Sequence, residues 1–428
     1  MRLIVNVGYY LTEDCPLRCD YCFVSKNPKR SNFDVGKATI DWLLSPEISG
    51  NTKQISISFF GGEPMLEMDL LKQLVEYGEG LNQKNQKKIK FSITSNGTLL
   101  TEELLDYFVK HNINILFSID GDEETQNKHR KTADGRGSWS MIQPILKSFV
   151  KKQPQNVARM TICSDTASKT FENVKYLIEG VGFKNIAPTP VGDSYLNWDN
   201  DSIAVMDKEY EKIEKWIADR IRRKVNNPIC IGYLQKAIKA NLRKQPMTSP
   251  CGAGKGYAGI GVDGGVYPCH RFVQWEEWKL GTVFERKLDE EKRKQFLEFD
   301  KNRNSACKDC SVFFCGGQCL AQNIVFGKRL DSFNPQICRL NKFLQRAAVN
   351  LIKEFGKDPH FLNMFPLKQR PRIDPTDIRR LYEQNMLLAR KINNLEREMS
   401  IVKQVLRKVD PTDSRLFYHC PNCPERGK

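Results

Sequence analysis

About the first 190 residues alternate short β-rich runs with amphipathic segments of helical periodicity, and this alternation restricts the chain to few folds. The runs that predict strands are Leu3–Tyr10, Gln54–Phe60, Ile89–Thr94, Asn114–Ile119, Val157–Ile162 and Asn185–Pro190. The segments that predict helices between them include Val35–Leu44, Met68–Leu81, Glu102–Val109 and Phe171–Glu179. Strands separated by helices pair in parallel. The sequence therefore predicts an α/β fold, a partial (β/α)6 version of the TIM-type barrel, whose functional residues collect at the carboxyl ends of the strands.

Three cysteines, Cys15, Cys19 and Cys22, follow the first predicted strand with the spacing C-x3-C-x2-C. Three thiolates can hold three irons of a 4Fe–4S cube and leave the fourth iron open for chemistry. A zinc site or unrelated buried thiols are the alternatives, but a fourth ligand at zinc-ribbon spacing is missing. Tyr21 and Phe23 flank the last cysteine, where aromatic rings would shield a cluster and pack on a flat ligand.

Small and polar motifs follow the next three predicted strands. They are Gly61-Gly62-Glu63-Pro64, Thr94-Ser95-Asn96-Gly97-Thr98 and Ser118-Ile119-Asp120-Gly121. The two glycines of the first motif allow a ligand to approach the backbone, and Glu63 offers a carboxylate to an ammonium group. Each motif, taken alone, is also compatible with an ordinary turn or a helix cap.

A second cysteine array occupies the later part of the chain. Its order is Cys251, Gly264-x4-Cys269, Cys307-x2-Cys310-x4-Cys315-x3-Cys319 and Cys338. The segment has little periodicity, so it has few ways to bury a core unless metal clusters cross-link it. Two zinc sites are the alternative to iron–sulfur clusters.

Together these motifs resemble the radical S-adenosylmethionine (SAM) superfamily and its SPASM domain. The resemblance implies that the first three cysteines hold a 4Fe–4S cluster whose open iron is chelated by SAM. One-electron reduction then cleaves SAM to a 5′-deoxyadenosyl radical that abstracts hydrogen from the substrate. The resemblance also implies that Gly61–Pro64 binds the methionine amine, that Asn96 lies near the ribose, and that Ser118 and Arg130 contact the carboxylate.

The SPASM resemblance implies two auxiliary 4Fe–4S clusters, and hence three clusters in the chain. Cys307, Cys310, Cys315 and Cys338 would enclose one of them, and Cys251, Cys269 and Cys319 would hold the other. The fourth position of the latter is either open to a substrate group or closed by Cys230. A plain buried thiol is the favoured interpretation for both Cys230 and Cys163.

His270 directly follows Cys269. In sulfatase-maturing members of the family an Asp lies close to that cysteine and acts as a base, so this difference resembles peptide maturases instead. The x4 gap between Cys310 and Cys315 is also one residue shorter than the x5 of the sulfatase-maturing members. His270 is a candidate proton acceptor, and a histidine that only supports the cluster is the equal alternative.

A heptad pattern covers Ile378–Val409, with Asn385 at one a position. The apolar a and d positions are Ile378, Leu381, Leu388, Ile392, Leu395, Met399, Val402, Leu406 and Val409. The pattern predicts a coiled coil, for which a homodimer is one arrangement, and a helix lying on the barrel is the alternative. Cys420 and Cys423 follow as half of a zinc knuckle, which two tails of a dimer could complete with four thiolates; a redox dithiol is the alternative.

These features divide the chain into six predicted parts. They are the barrel (1–195), a helical bridge (196–250), the SPASM segment (251–340), a helix and linker (341–375), the coiled coil (376–410) and the Cys-x2-Cys tail (411–428).

The composition restricts location and partners. No signal peptide and no run of membrane-spanning length is visible, which predicts a cytoplasmic protein with no membrane partner. In the reducing cytoplasm, the 14 cysteines of the chain favour metal ligation over disulfides. The net charge of +16 fits nucleic acid or an acidic peptide, but the charge is spread along the chain and no RNA-binding module is recognisable. Nucleic acid is therefore the less favoured partner.

The sequence thus predicts a radical SAM/SPASM maturase of a ribosomally synthesised precursor peptide with a leader. Cross-linking, epimerisation or splicease-like excision with loss of tyramine are the outcomes considered. We also expect an external electron donor and either a separate small leader-recognition protein or leader capture by the coiled coil. The alternatives are maturation of an enzyme side chain, of the sulfatase or quinoprotein type, and a basic iron–sulfur protein that binds or modifies RNA.

Overall fold

The computed structural model describes residues 3–84, 87–192, 198–225 and 229–364. The chain divides into two compact units, Met1–Pro366 and Leu367–Lys428. The predicted coiled coil and the predicted zinc ligands Cys420 and Cys423 lie outside the described residues.

The described residues contain one ten-stranded sheet with the order β10-β9-β8-β1-β2-β3-β4-β5-β6-β7. Its strands are β1 (Asn6–Thr12), β2 (Gln54–Gly61), β3 (Lys88–Ser95), β4 (Asn114–Ser118), β5 (Val157–Ile162), β6 (Asn185–Pro190), β7 (Cys230–Ile231), β8 (Tyr257–Ile260), β9 (Gly265–Tyr267) and β10 (Gly281–Thr282). Strands β1 to β6 pair in parallel in chain order. The predicted parallel α/β barrel fold is confirmed.

Side chains of the barrel strands alternate between two environments. In β2, Ile55, Ile57 and Phe59 are fully buried, whereas Ser56 and Ser58 between them are partly accessible. Because successive residues of a strand point to opposite faces, the apolar set packs beneath the outer helices and the small polar set faces the barrel interior. The interior is therefore lined by side chains that leave room and hydrogen-bonding groups for a ligand.

Helices cover the outer face of the sheet and continue beyond it. They are α1 (Phe33–Leu44), α2 (Pro46–Ser49), α3 (Met68–Lys84), α4 (Glu102–Lys110), α5 (Glu123–His129), α6 (Trp139–Lys152), α7 (Thr170–Lys175), α8 (Asn200–Arg222), α9 (Gly232–Leu242), α10 (Glu290–Leu297), α11 (Ser305–Lys308), α12 (Leu320–Gly327), α13 (Pro335–Phe355) and α14 (Pro359–Met364). Short 3-10 turns lie at Pro64–Glu67, Ser164–Lys169, Glu276–Trp278 and Lys301–Arg303, and Tyr176–Val181 continues α7 as a π-helix.

Helix α13 begins at Pro335, six residues before the predicted helix and linker (341–375), and ends at Phe355. Pro335 occupies its first turn and the Asn334 side chain accepts a hydrogen bond from the backbone of Gln336. Proline at a first helical position and an asparagine cap are both favourable, so these residues start the helix. The helix packs against α8 and α9.

The second cysteine segment shares the sheet with the barrel. Strand β8 pairs in parallel with β1, and β9 and β10 add antiparallel strands beyond it. These strands are two to four residues long, too short to show periodicity in the sequence. A small second core joins the two parts, with Tyr10 and Val24 from the barrel side packed among residues such as Phe272 and Phe296. No helix in the described ranges is both long enough and apolar enough to cross a bilayer.

Candidate active site

The loop between β1 and α1 carries the first three cysteines. Cys15 is buried, Cys19 is half-buried and Cys22 is exposed. The Cys15 sulfur accepts hydrogen bonds from the Leu17 backbone N–H at 3.4 Å and from Asn96 Nδ2 at 3.5 Å. The Cys22 sulfur accepts one from Lys26 Nζ at 2.9 Å. N–H donors directed at sulfur are typical of thiolates that bind metal clusters.

Burial and neighbouring charges both act on these thiols. Burial raises the pKa of Cys15 to about 11, with smaller contributions from Glu63 and Cys22. Burial likewise raises the pKa of Cys19 to about 12, where Arg130 opposes the shift and Cys22 adds to it. Ligation requires thiolates, so a metal centre at this loop would release the protons that burial retains.

The spacing of the thiols fits a cluster better than a single zinc ion. Thiolates around one tetrahedral zinc lie about 3.8 Å apart, given Zn–S distances of ~2.3 Å. Within residues 3–84, 87–192, 198–225 and 229–364, no three cysteine sulfurs form a group with all ligand atoms within 4.8 Å of one another. The described cysteines therefore do not form a compact single-zinc site, and the N–H donors directed at their sulfurs fit a cluster.

Gly61 and Gly62 pack the end of β2 against the cysteine loop. A Cβ atom on Gly62 would lie 1.9 Å from the Asp14 carbonyl oxygen, and one on Gly61 would lie 2.0 Å from that of Thr12. Gly61 also has a φ of +131°, which side-chain-bearing residues rarely adopt. The sequence predicted that the glycines give a ligand access to the backbone. The structure shows a different need, because their close neighbour is the chain itself.

Glu63 lies fully buried behind these glycines. Its carboxylate accepts hydrogen bonds from the Asn96 backbone N–H at 2.8 Å, Ser95 Oγ at 2.9 Å and the Met65 backbone N–H at 3.1 Å. Burial raises the pKa of Glu63 to about 7, although these hydrogen bonds oppose the shift. A buried carboxylate held by neutral donors is prepared to pair with a cationic group such as an ammonium.

Asn96 connects Glu63 to the cysteine loop. Its backbone donates to Glu63, and its side chain donates to Cys15, as described above. Its Oδ1 accepts from the backbone N–H and the hydroxyl of Thr98 at 2.9 and 2.7 Å. Sequence reasoning named Asn96 but not Ser95, whose hydroxyl reaches the same carboxylate. The position of Ser95 at the carboxyl end of β3 was the available signal.

Arg130 is held by a carboxylate of the protein itself. Its guanidinium contacts Asp120 through Nε and Nη2, both at 2.9 Å, and it lies over the Tyr21 ring at 5.3 Å. The Tyr21 hydroxyl donates to the same Asp120 carboxylate. This pairing uses two of the five guanidinium N–H groups, so the predicted contact of Arg130 with a ligand carboxylate would be shared with Asp120. Ser118 ends β4 and is half-buried.

Asp120 is a site residue that sequence reasoning did not select. Besides Arg130 and Tyr21, its carboxylate accepts from the Thr161 backbone N–H at 2.8 Å, which links β4 to β5. A carboxylate two residues after a parallel strand was the signal that could have identified it.

The later cysteines form two groups in the structure. Burial raises the pKa of Cys269, and Cys319 and Cys251 add to the shift. Burial also raises the pKa of Cys307 to about 11, and there the added contributions come from Cys338, Cys315 and Cys310. These contributions associate Cys269 with Cys319 and Cys251, and Cys307 with Cys338, Cys315 and Cys310.

The Cys307 set surrounds a cavity of about 610 Å³. All four cysteines of the set line it. Gln318 Nε2 donates to the Cys338 sulfur at 2.9 Å, and Asn341 Nδ2 lies 3.6 Å from the Cys315 sulfur. A cavity with four thiols and amide donors directed at the sulfurs fits a fully ligated iron–sulfur cluster.

Cys230 contacts Gln235, with its Sγ donating to Oε1 at 3.0 Å. Burial raises the pKa of this thiol and Lys239 opposes the shift, with no contribution from another cysteine. This environment supports a plain thiol over a fourth cluster ligand.

His270 packs between the second cysteine segment and the barrel. Its ring lies 4.8 Å from the Phe60 ring and 5.9 Å from the Phe23 ring, and its Nδ1 is 2.9 Å from the Tyr257 hydroxyl. Burial lowers the pKa of His270 to about 3, with the positive charges of Arg271 and Arg159 adding to the shift. The imidazole is therefore neutral near pH 7, and the same burial and positive charges make it a weak proton acceptor. Phe60 directly precedes Gly61, so His270 lies beside the motif that holds Glu63.

Two parts of the sequence match known protein families. Residues 9–166 match the radical SAM superfamily, and residues 251–311 match an iron–sulfur cluster-binding domain, SPASM. The cysteine-type anaerobic sulfatase-maturating enzyme of Clostridium novyi is 24% identical over 330 residues, covering 72% of this chain and 85% of that protein.

Two solved structures share the fold. The structure of anSMEcpe with bound AdoMet superposes on this chain with a TM-score of 0.66 at 22% identity. The superposition covers 82% of this chain and 95% of the anSMEcpe chain. Streptococcus suis SuiB bound to precursor peptide SuiA superposes with a TM-score of 0.56 at 16% identity, covering 78% and 75%.

The parallel barrel, the three-thiol loop at its carboxyl edge and the thiol-rich extension define an enzyme that uses SAM and iron–sulfur clusters. The chain thus carries a radical SAM domain followed by a SPASM domain, the combination found in the maturases to which it is similar.

Proposed function

We propose that this enzyme modifies a ribosomally synthesised precursor peptide after abstracting a hydrogen atom from it. One observation carries the proposal: β8 pairs with β1, and His270 packs on Phe60 and Phe23. The second cysteine segment therefore packs against the edge of the sheet at which the barrel motifs lie. A substrate bound at this edge would meet both the radical source and the extension.

The residues of the chain have separable roles in this proposal. Cys15, Cys19 and Cys22 would hold the cluster that binds SAM, and Glu63 would receive the SAM ammonium group. When bound, the cluster and SAM supply a 5′-deoxyadenosyl radical for hydrogen abstraction. His270 would support the neighbouring Cys269, a role that its low pKa favours over the alternative role of proton acceptor.

The remaining predicted cofactor contacts line the same edge of the sheet. Asn96 would lie at the ribose, and Ser118 and Arg130 would meet the SAM carboxylate, with Asp120 holding the guanidinium in place. Tyr21 and Phe23 would cover the cluster. The two later thiol sets would hold auxiliary clusters, which makes three in all.

A peptide substrate is supported by the relatives. SuiB, which shares the fold, is bound to a precursor peptide in its solved structure. The net charge of +16 favours an acidic peptide segment as partner. We further propose a separate leader-recognition protein and an external electron donor. A coiled-coil homodimer and zinc at Cys420 and Cys423 remain predictions outside the described residues.

Maturation of an enzyme side chain is the second candidate. The similarity to the sulfatase-maturating enzyme of C. novyi over 72% of the chain favours it. His270 beside Cys269, where the sulfatase-maturing members have an Asp close to that cysteine, weighs against it.

One anaerobic assay separates the candidates. The reconstituted enzyme, with SAM and a reductant, is given the precursor peptide encoded beside its gene, a sulfatase-derived peptide with Cys or Ser at the modified position, or RNA. The proposal predicts that 5′-deoxyadenosine formation is stimulated by the precursor and that the precursor changes mass. Stimulation by the sulfatase peptide or RNA, with an unchanged precursor, would contradict it.

A further inference from the structure

A histidine, a cysteine and an aspartate outside the cluster motifs lie together at the carboxyl edge of the barrel. His129 is the last residue of α5, Cys163 directly follows β5, and Asp165 lies in the 3-10 turn after it. The topology brings them together because β4 and β5 are neighbours in the sheet. We propose that His129, Cys163 and Asp165 bind a divalent metal ion, and that zinc is the ion they fit.

The distances are those of a single-ion site. One ligand atom from each residue lies within 4.8 Å of the others, and His129 Nε2 is 3.0 Å from Asp165 Oδ1. His129 and Cys163 are buried, whereas Asp165 is exposed and gives the site an entry path. Nitrogen, sulfur and oxygen ligands from imidazole, thiolate and carboxylate are a donor set that zinc accepts, with water in the fourth position.

A second carboxylate orients the histidine. Asp20 Oδ2 is 2.9 Å from His129 Nδ1, on the side of the ring away from Asp165. Metal-binding histidines commonly donate their other ring N–H to a carboxylate in this way. Asp20 is not near the proposed ion but fixes the tautomer that leaves Nε2 free to bind it.

The hydrogen-bond donors and acceptors around His129 favour a cation between His129 Nε2 and Asp165. A neutral imidazole has one N–H, which Asp20 occupies, so Nε2 and Asp165 Oδ1 would both be acceptors facing each other at 3.0 Å. A cation between them removes this conflict, and the cation is either a proton or a metal ion. The Cys163 thiol beside them favours the metal, since a dication with one thiolate and one carboxylate is neutral overall. Lys128 Nζ contacts the other oxygen, Asp165 Oδ2, at 3.0 Å and leaves Oδ1 to the ion.

The proposed ion would fix the cluster loop. Asp20 lies between Cys19 and Cys22, and its backbone N–H donates to the His129 carbonyl at 3.3 Å. The Arg18 N–H donates to the Lys131 carbonyl at 2.7 Å. A metal at His129 would therefore restrain the loop through both the side chain and the backbone of Asp20. This role is independent of which substrate the enzyme modifies.

The experiment uses full-length enzyme with reconstituted clusters and Ser at Cys420 and Cys423, so that the tail pair cannot bind the ion. After chelation of loose metal the protein is titrated with Zn²⁺. Zinc and iron contents are measured by mass spectrometry, and the zinc environment by X-ray absorption at the zinc edge. We expect one zinc per chain, with iron content unchanged, and with one sulfur at ~2.3 Å and nitrogen or oxygen ligands at ~2.0–2.2 Å.

Two variants and a matched control complete the test. Cys163→Ser and His129→Gln should each reduce zinc affinity at least tenfold, while Cys230→Ser, which alters a thiol elsewhere on the sheet edge, should bind zinc as before. Zinc should also slow hydrogen exchange in residues 16–24, and this slowing should be absent in Cys163→Ser. Failure to bind zinc, zinc content that Cys163→Ser does not change, or a zinc spectrum with three or four sulfurs would each overturn the proposal.

Discussion

The thiol sites at Cys15–Cys22 and at Cys307–Cys338 differ in the backbone elements that carry their cysteines. The first lies on a loop whose ends leave β1 and enter α1, and backbone hydrogen bonds pin it to the barrel, as from Glu13 N–H to the Lys29 carbonyl at 2.9 Å. The second lies on the short helix α11, on the turns that follow it and on the first turns of the long helix α13, around a cavity of about 610 Å³. The barrel thus holds its thiols through strands and backbone hydrogen bonds, and we expect the later site to depend more on its metal centre for local order.

The buried apolar residues explain this difference. One core runs continuously beneath the barrel helices, with strand residues such as Ile57, Ile93 and Phe117 fully covered. Burying such side chains stabilises a fold by ~1.5–3 kcal/mol each. At the Cys307 set this core reaches its end: Val312, Phe314 and Leu340 are buried in it, while the four thiols of the set are only half-buried, so we expect metal–thiolate bonds to add to the local stability.

Iron removal should separate the two sites by the largest difference in local stability. In enzyme prepared without iron, amide hydrogen exchange in residues 305–338 should accelerate at least about tenfold, a loss of ~1.4 kcal/mol, because the thiols lose their cross-link. The amides of β2 to β5 should keep their protection. Hydrogen-exchange mass spectrometry of the iron-free and reconstituted forms measures both regions, and equal loosening of the barrel strands would contradict the contrast.

Gly62→Ala tests how tightly the barrel holds the first site. The added Cβ would meet the Asp14 carbonyl at 1.9 Å, so we expect a loss of ~1–3 kcal/mol in unfolding free energy and of SAM binding. Gly80→Ala is the matched control, because a Cβ there meets nothing within 4 Å on the exposed side of α3, and it should stabilise by ~0.5–1 kcal/mol. Denaturant unfolding and SAM binding report the two effects, and equal stability of the two variants would refute the tight contact.

Glu63→Gln tests whether the barrel loses stability by burying an ionisable carboxylate that SAM binding needs. The pKa of Glu63 is raised to about 7, so without SAM its ionised form opposes folding, and this cost appears as pH rises from the unfolded value towards and past 7. Relative to wild type, SAM-free Glu63→Gln should therefore gain roughly 1–3 kcal/mol more at pH 8 than at pH 5, while losing SAM affinity. Thermal unfolding at both pH values tests this. An advantage that is greater at pH 5 would reverse the sign and disprove it.

Lys26→Met should give the smallest effect. Its ammonium lies 2.9 Å from the Cys22 sulfur, and a nearby cation stabilises the more negative, reduced cluster. An exposed charge contact is worth ~0.2–1 kcal/mol, so the midpoint potential should fall by about 10–40 mV. Lys29→Met, in which only the backbone carbonyl of Lys29 makes its described contacts, is the control. Redox titration followed by electron paramagnetic resonance distinguishes them, and equal shifts would exclude a specific contact.

Much of the barrel could be predicted from the sequence, because its strands are five to eight residues long and end in recognisable motifs. The Gly61–Glu63 motif and the three-cysteine loop lie where the strand ends placed them. The sequence analysis did not select Ser95 or Asp120 because most of their partners are far away along the chain. Ser95 contacts Glu63, and Asp120 contacts Tyr21 and Thr161 in addition to the nearer Arg130. The pairing of β8 with β1 could not be predicted either, since four residues carry no periodic signal and the register is set by a strand some 250 residues away.

That pairing also sets the order in which the chain can be completed during synthesis. Strand β1 leaves the ribosome long before one of its two neighbours, Tyr257–Ile260, which emerges only after strands β2 to β6. Until then one edge of β1 has unpaired backbone N–H and C=O groups, which can pair with other chains. Closing such a long-range contact is slow. The nascent enzyme should therefore be most prone to aggregation between completion of β6 and arrival of β8, and a ribosome pause there would lengthen the exposure.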